Sequence, residues 1–338
     1  MGSEQQSGAP SPLTTTPANT IIGEHVKVVI TGGAGFIGAN LARIMSNTDE
    51  ITEVVAFDNL STGFRTNLDG LDTSVVRLVE GDILNPDELD AAIAGASAVV
   101  HLAARPSVPR SVKDPVASHH ANATGTLNVL EAARRAGDVQ VIVASSSSVY
   151  GSNPELPKHE DLATRPLSPY AASKLATEAY ALAYGSSYGM ATLAFRFFNV
   201  FGPLQAAGHA YAAVIPAFVD AALAGRPLPV HGDGTQSRDF TYVDTVASVI
   251  TDAVLRRVSS PEPVNLAFGS RTNLLEVIEL LKGELGTDLA VDFQPSRTGD
   301  VPHSQAANDR LRALFPDIEP VDLATGLTRT VEWFRTLA

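Results

Sequence analysis

The stretch 26–38 constrains the fold more than any other part of the chain. Val26, Val28, Val29 and Ile30 crowd β-branched residues into a short run, which is a strand signal. It passes without a linker into Gly32-Gly33-Ala34-Gly35-Phe36-Ile37-Gly38, and Ile37, Leu41, Ile44 and Met45 then recur at helical spacing. A strand, a glycine turn and a helix in immediate succession form the first half of a parallel βαβ unit. Gly32 is read as permitting the tight turn, Gly35 as letting backbone approach a pyrophosphate, and Gly38 as letting helix and strand pack closely. The first N–H groups of such a helix lack intrahelical partners, and with the helix dipole they favour an anion. By itself a glycine run predicts only a turn; the chain around it must say more.

The first half repeats this rhythm. A second strand, 53–57, ends in Asp58, 20 positions after Gly38. At that spacing an acid takes the ribose hydroxyls of a dinucleotide, the alternative being that Asp58 only starts a turn. No Arg or Lys lies between Asp58 and Gly63. A 2′-phosphate would meet repulsion there, so NAD is favoured over NADP. A third strand, 75–80, leads to Asp82 and Ile83; Asp82 is either a contact to adenine or a cap for the helix starting at Pro86. A fourth, 98–102, ends in His101-Leu102-Ala103-Ala104, where small residues let a dinucleotide lie against the sheet edge. His101 is read as structural. A fifth, 139–144, opens onto the serine run 145–148. Strands alternating with helices predict an α/β fold, a doubly wound parallel sheet with ligands at the carboxyl ends of its strands.

Ser168 before Pro169 opens another helix. Tyr170 and Lys174 then lie four apart on one face. A phenol and an ammonium so placed make an acid/base couple, with the positive charge expected to pull the tyrosine pKa below its usual value of about 10. The same spacing occurs on ordinary surface helices, so the couple gains weight only from the strand order around it.

Composition excludes other classes. The net charge is −13 with no basic block, which argues against a nucleic-acid or anionic-membrane surface while leaving room for a local basic pocket. There is no cysteine, so disulfides, thiolate chemistry and Cys-ligated metals are out, and no metal site is expected. No apolar run reaches the ~18 residues of a membrane span. Residues 1–24, rich in Ser, Pro, Thr and Gly, read as a disordered leader without a secretory pattern, and the expected address is the cytoplasm. The expected organisation is a dinucleotide-binding domain over 25–200. A smaller lobe over 201–338 would mainly bind substrate, with some segments returning to the first sheet.

With the glycine loop, Asp58, the serine run and Tyr170/Lys174 in this order, the chain resembles the extended short-chain dehydrogenase/reductases. Within them it is most similar to NAD-dependent UDP-sugar 4-epimerases, in particular the branch acting on UDP-N-acetylglucosamine. The supporting stretches are 107–111 (SVPRS), 210–216 (AYAAVIP), 232–240 (GDGTQSRDF) and 299–304 (GDVPHS). The resemblance runs from about residue 26 to the end. It implies that Ser146 hydrogen-bonds the sugar O4, that Tyr170 is the base, and that Lys174 binds the nicotinamide ribose and holds Tyr170 near its working pKa. It further implies NAD contacts from Phe36, Ile37, Asn59, Asp82, Ile83, Leu102, Ala103, Ala104, Asn122, Phe197 and Val200. Substrate contacts are implied for Ser107, Ser147, Asn199, Ala213, Val214, Arg238, Arg297, Asp300 and Ser304. Arginine suits diphosphate because guanidinium grips it in a charge-assisted fork. Ser304 is small where a bulky aromatic would crowd the C2 substituent, so an N-acetyl group is admitted.

Related dehydratases and decarboxylases carry Asp or Glu after the catalytic Ser/Thr, whereas Ser147 and Ser148 follow Ser146 here. A UDP-glucuronate 4-epimerase has less support in 107–111 and at Ser304. An NAD-sensing non-enzyme would usually lack the Tyr/Lys couple. By the same resemblance, helices near 121–136 and 171–187 would pair into a four-helix dimer interface.

Overall fold

The computed structural model describes residues 25–207, 213–295 and 302–337. The expected leader over 1–24 lies outside them, as do residues 210–212, Arg297 and Asp300. The first half contains β1 (Val26–Thr31), α1 (Phe36–Met45), β2 (Ile51–Asp58), β3 (Val76–Glu80), α2 (Pro86–Ile93), β4 (Ala98–His101), α3 (Val108–Lys113), α4 (Pro115–His119), α5 (Gly125–Ala136) and β5 (Gln140–Ser146). Then come α6 (Pro169–Tyr188), β6 (Thr192–Phe197), β7 (Asn199–Phe201), α7 (Val214–Leu223), β8 (Leu228–His231), β9 (Ser237–Arg238), β10 (Phe240–Tyr242) and α8 (Val243–Leu255). The chain closes with β11 (Val264–Leu266), β12 (Thr272–Asn273), α9 (Leu274–Leu285), β13 (Val291–Gln294), α10 (Asp309–Leu314) and α11 (Leu323–Arg335).

Seven parallel strands form one sheet in the order β11-β6-β5-β4-β1-β2-β3. This is the doubly wound, Rossmann-like α/β architecture. The chain winds outward through β2 and β3, then returns to the other side of β1 with β4. The reversal between β1 and β4 opens a crevice at their carboxyl ends.

Alternation along each strand feeds two separate cores. Val28 and Ile30 of β1 pack with Leu41 and Met45 of α1 and with Val246, Val249 and Ile250 of α8. Val29, facing the other way, packs with Leu89 and Ile93 of α2 and Val129 and Leu130 of α5. A strand buried on both faces must be apolar at nearly every position, and this is why β1, β4 and β5 lack an alternating pattern. The last sheet strand, β11, comes from the second half of the chain, and Val264 and Leu266 complete the first core. A third core around α7, β8, α9 and α11 includes Phe218, Val230, Ile278 and Val331. Phe36 and Ile37 at the start of α1 pack against it, joining the glycine turn to the second half.

Several expected boundaries shift by one or two residues, and two of the differences bear on the site. The fifth strand is longer than expected and carries Ser145 and Ser146 as strand residues, because it stays paired with β6 through Ser146↔Phe197. The helix expected at 121–136 is interrupted at its start by a π-helical turn, His120–Thr124, before α5 begins.

Beneath α6 lies a charged pair that the sequence pattern did not single out. Glu178 and Arg196 are each 4% exposed and joined by Oε1–Nη2 at 2.6 Å and Oε2–Nε at 2.9 Å. Ser145 Oγ donates to the same carboxylate at 2.8 Å, and the Arg196 guanidinium stacks 4.8 Å over Tyr150. Truncating one partner of such a pair leaves a charge buried without compensation. Arg196→Leu is expected to lower stability by about 3–5 kcal/mol, with the double variant Arg196→Leu/Glu178→Leu recovering part of the loss. Urea unfolding of the three proteins measures this, and equal stability of Arg196→Leu and wild type would refute it.

Candidate active site

The glycine turn is shaped by close approach. Gly32 has φ +73, and a Cβ there would lie 2.7 Å from the Ala103 nitrogen, so the turn after β1 touches the chain after β4. A Cβ on Gly33 would lie 2.6 Å from Ala56 of β2. A Cβ on Gly38 would lie 2.2 Å from the Gly32 carbonyl oxygen. The expected division of labour is therefore corrected: Gly38 packs on the turn itself, and Gly33 makes the close approach to a strand. Gly35 is the N-cap of α1 with extended backbone and no side-chain cap. The first intrahelical bond runs from Ala39 N to Gly35 O, so the N–H groups of Phe36, Ile37 and Gly38 have no partner within the helix.

Asp58 stands at the end of β2, 8% exposed. Its Oδ2 accepts from Ala34 N at 3.0 Å and its Oδ1 from Leu60 N at 2.8 Å. Burial raises its pKa, against the pull of those two N–H groups. Each carboxylate oxygen has a second lone pair for a further donor. Asn59 Nδ2 donates to Asp82 Oδ2 at 3.1 Å, so the residues after β2 and β3 meet at one edge. The alternative cap role of Asp82 is not realised: α2 is capped by Asn85, whose side chain accepts from Asp87 N. Ile83 is buried against Gly125, where a Cβ would meet its Cδ1 at 2.4 Å. These features suit a dinucleotide: a turn with no room for side chains, free helix N–H groups, an acid at the second strand end, and small residues Ala103 and Ala104 across the crevice.

His101 is buried between two threonines, as a structural histidine. Thr126 gives its own proton to the Asn122 carbonyl at 2.5 Å, so it accepts from His101 Nε2–H at 3.0 Å. Nδ1 then accepts from Thr31 Oγ1 at 2.7 Å. Burial and, second to it, the charge of Lys174 lower the His101 pKa to about 3, which keeps the ring neutral. Asn122 extends the chain of bonds, accepting from Arg105 N at 2.7 Å and donating to Ser173 Oγ at 2.9 Å. The polar line from β1 to α6 therefore ends beside Lys174.

Ser168 caps α6, its side chain accepting from Ala171 N at 3.1 Å. Tyr170 and Lys174 project from this helix onto the end of β5. Ser146 lies close enough to Tyr170 to oppose the effect of burial on the phenol. Ser146 Oγ accepts from Ser148 N at 3.2 Å and Ser148 Oγ at 2.9 Å, with Ser147 between them in a short helical turn. Lys174, 5% exposed, donates from Nζ to the Ala144 carbonyl at 2.8 Å. The expected lowering of the tyrosine pKa is not found: burial raises it, and only Ser146 opposes that. Burial penalises whichever form is charged, so phenolate and ammonium both lose. The Lys174 pKa falls to about 8 for the same reason.

The residues read as substrate contacts sit on several separate elements. Asn199 opens β7, and its N and Nδ2 both donate to the Asp239 carbonyl at 3.2 Å. Val200 and Phe197 pack partly against the first core. Arg238 Nη1 donates to the carbonyls of Ser237 at 2.9 Å and Pro302 at 3.2 Å. Ser304, 8% exposed, donates its N–H to Ser237 O at 3.0 Å. Ala213 is the N-cap of α7 and Val214 its first residue. Ser107 caps α3 with φ 97, a strained backbone for a residue with a Cβ, and its side chain accepts from Arg110 N at 3.4 Å.

Several residues here went unread in the sequence. Glu178 had a signal, since 170, 174 and 178 continue one helix face. Arg196 had one too, as a lone charge inside the apolar run of β6. Gly33, Thr31, Thr126, Ser173 and Thr177 had none beyond being small or polar. Asp239 has its pKa pushed up to about 6 by burial, against hydrogen bonds from Ala306, Ser270 and Gly269.

The shifted Lys174 carries a pH signature. Its folded pKa of about 8 lies below the ordinary 10.5, so the fold favours the neutral amine. The cost of burying the ammonium is full at pH 7, fades as pH rises through 8, and vanishes above 10.5. Lys174→Met is therefore expected to raise the thermal midpoint of nucleotide-stripped protein at pH 7, with the gap closing toward pH 10. Thermal scans across that range check it; a gap independent of pH would contradict it.

Among the described residues no group of three or more acidic, His or Cys side chains could hold a metal ion, and no helix is long and apolar enough to cross a membrane. Residues 28–267 match the model of the NAD dependent epimerase/dehydratase family. A UDP-glucose 4-epimerase of Mycolicibacterium smegmatis is 36% identical over 318 residues, which span 92% of this chain and 99% of that protein. A probable UDP-glucuronate 4-epimerase of Rhizobium meliloti is 32% identical over 337 residues, 91% of this chain and 97% of that one. The solved UDP-N-acetylglucosamine 4-epimerase from Methanobrevibacter ruminantium M1, in complex with UDP-N-acetylmuramic acid, superposes with a TM-score of 0.87. It is 34% identical, with 93% of this chain and 100% of that chain covered. NAD is thus the cofactor, and the chain belongs to the NAD dependent epimerase/dehydratase family.

Proposed function

We propose that this protein interconverts the C4 epimers of UDP-hexoses. UDP-N-acetylglucosamine and UDP-N-acetylgalactosamine are the preferred pair, and UDP-glucose and UDP-galactose are accepted. The observation that supports the reading is Ser146 beside Tyr170, opposing the effect of burial on the phenol, with buried Lys174 one turn further along α6 and bonded to the end of β5. Gly32, Gly35, Phe36, Ile37 and Gly38 hold the NAD diphosphate, Asp58 and Asn59 its adenosine ribose, and Asp82 and Ile83 the adenine. Leu102, Ala103, Ala104, Asn122, Phe197 and Val200 line its path toward Lys174. NAD supplies the acceptor and donor for the C4 hydrogen.

Tyr170 takes the O4 proton while Ser146 holds O4 in place. Lys174, with its pKa at about 8, stays mostly protonated near pH 7. Ser146 alone opposes the burial of the phenol, so Lys174 serves the proton transfer by binding the nicotinamide ribose beside Tyr170. The 4-keto sugar turns over about its bond to UDP and presents the opposite face. That motion needs UDP gripped and the sugar loosely held. Asn199, Arg238, Arg297 and Asp300 provide the grip, with Ala213 and Val214 near the uracil. Ser107, Ser147 and Ser304 leave a wall of small residues around the sugar. A larger pocket rejects a smaller ligand only weakly, so non-acetylated hexoses are accepted.

The test is to incubate purified protein separately with UDP-GlcNAc, UDP-Glc and UDP-glucuronate, each deuterated at C4, and to identify products by NMR. Epimers that keep the deuterium are expected from the first two. Loss of the label to water, or turnover of glucuronate alone, would refute the reading in favour of another sugar-nucleotide chemistry. In the same assay Tyr170→Phe should lose about 10²–10⁴-fold in turnover while keeping NAD bound, and Ser304→Tyr should lose the N-acetylated substrate first.

We further propose a homodimer built on α5 and α6. Next to α6, helices α3 and α4 expose Val112 and Val116, and α6 itself exposes Tyr180 and Tyr188. Sedimentation velocity should give twice the chain mass, and a monomer at micromolar concentration would rule the pairing out.

A further inference from the structure

Asp239 lies outside the catalytic group, yet three segments of the chain converge on it. Its side chain is fully buried. Oδ2 accepts from Gly269 N at 3.1 Å and from Ala306 N at 3.0 Å, and Oδ1 accepts from Ser270 Oγ at 2.9 Å. Its own carbonyl accepts both donors of Asn199. One residue therefore binds the start of β7, the turn after β11, and the segment that follows Ser304. The neighbouring backbone reinforces the junction: Ser237 N bonds Pro302 O at 3.1 Å, Ser304 N bonds Ser237 O at 3.0 Å, and β9 pairs with β12 through Arg238↔Thr272.

We infer that Asp239 is a positioning residue for substrate selection, holding the sugar wall at Ser304 and the phosphate-side groups Asn199 and Arg238 in one register. The inference rests on the UDP-hexose reading above and names the residue that sets its selectivity. None of the three side-chain bonds reaches Ser146, Tyr170 or Lys174. Losing them should loosen where the substrate sits and leave the chemistry untouched. Buried donors deprived of an acceptor are costly, so the freed Gly269 and Ala306 N–H groups would draw their segments apart. The bonds need acceptors and no full charge. Asparagine can offer its oxygen to the two N–H groups and its amide nitrogen to the Ser270 hydroxyl, which also accepts.

The test compares Asp239→Ala, Asp239→Asn and Ser270→Ala with wild type as NAD-loaded proteins. KM and kcat are measured for UDP-GlcNAc and UDP-Glc, with bound NAD and thermal midpoint alongside. Asp239→Ala should raise KM about tenfold or more with kcat within about threefold, the pattern of lost uniform binding. The UDP-GlcNAc/UDP-Glc preference should change with it. Asp239→Asn should restore both to near wild-type values, and Ser270→Ala should raise KM about two- to threefold. A fall in kcat with KM unchanged would overturn the inference, as would Asp239→Asn behaving like Asp239→Ala. If Asp239→Ala does not fold, wild-type KM and preference in Ser270→Ala would overturn it as well. Wild-type protein that turns over neither sugar overturns the proposed function and this inference together. An active wild type with an unchanged preference in Asp239→Ala overturns this inference alone.

Discussion

The contact between Gly32 and the backbone at Ala103 is the constraint on which the rest of the structure depends. It exists because the sheet reverses its winding between β1 and β4, so two loops leave neighbouring strands in opposite directions. A side chain at Gly32 would collide with the Ala103 nitrogen, and one at Gly38 with the Gly32 carbonyl. The crevice is therefore lined by main chain, and main-chain N–H groups are what a diphosphate needs at close range.

Behind this crevice the protein builds a buried polar layer. Thr31, His101, Thr126, Asn122 and Ser173 run in hydrogen-bonded succession from β1 to α6, and Ser145, Glu178 and Arg196 secure the same helix from the far side of Lys174. Such a layer contributes little net stability, but each group left unpaired would cost much. Its effect is geometric. α6 can neither rotate nor slide without breaking several bonds, so Tyr170 and Lys174 are held against the end of β5.

The electrostatics follow from that burial. Tyr170 and Lys174 both have their charged forms disfavoured, in opposite pKa directions. The two shifts bring the phenol and the amine into conflict with water exclusion rather than with each other. A site so arranged is ready to accept charge from a bound dinucleotide and substrate, since neighbouring charges act more strongly where water is absent.

Much of the fold was legible because its signals are local. The β-branched run at 26–31, the glycines at turning points, the acid after the second strand, and Ser168-Pro169 opening a helix each depend on near neighbours in sequence. The order of these signals was enough to read a doubly wound sheet and to mark Asp58, Tyr170 and Lys174, with Ser146 added by the family resemblance. What the sequence could not show depended on distance. Asp239 looks like any acid between Arg238 and Phe240 until Gly269 and Ala306 fold onto it. Arg196 and Glu178 are 18 positions apart and become a pair only when β6 lies under α6. Gly33, given no task from the sequence, makes the close approach to β2, because the packing of a turn is set by the strand beside it. The sign of the Tyr170 shift was likewise a tertiary matter, since spacing along a helix places a cation nearby but only the surrounding fold decides how much water is removed. The chain alone thus determined the class of sheet, its glycine turn and the Tyr170–Lys174 spacing on one helix face, through local backbone preferences. The folded structure decided which polar groups are buried together, because burial is a property of the whole packing and not of any one stretch.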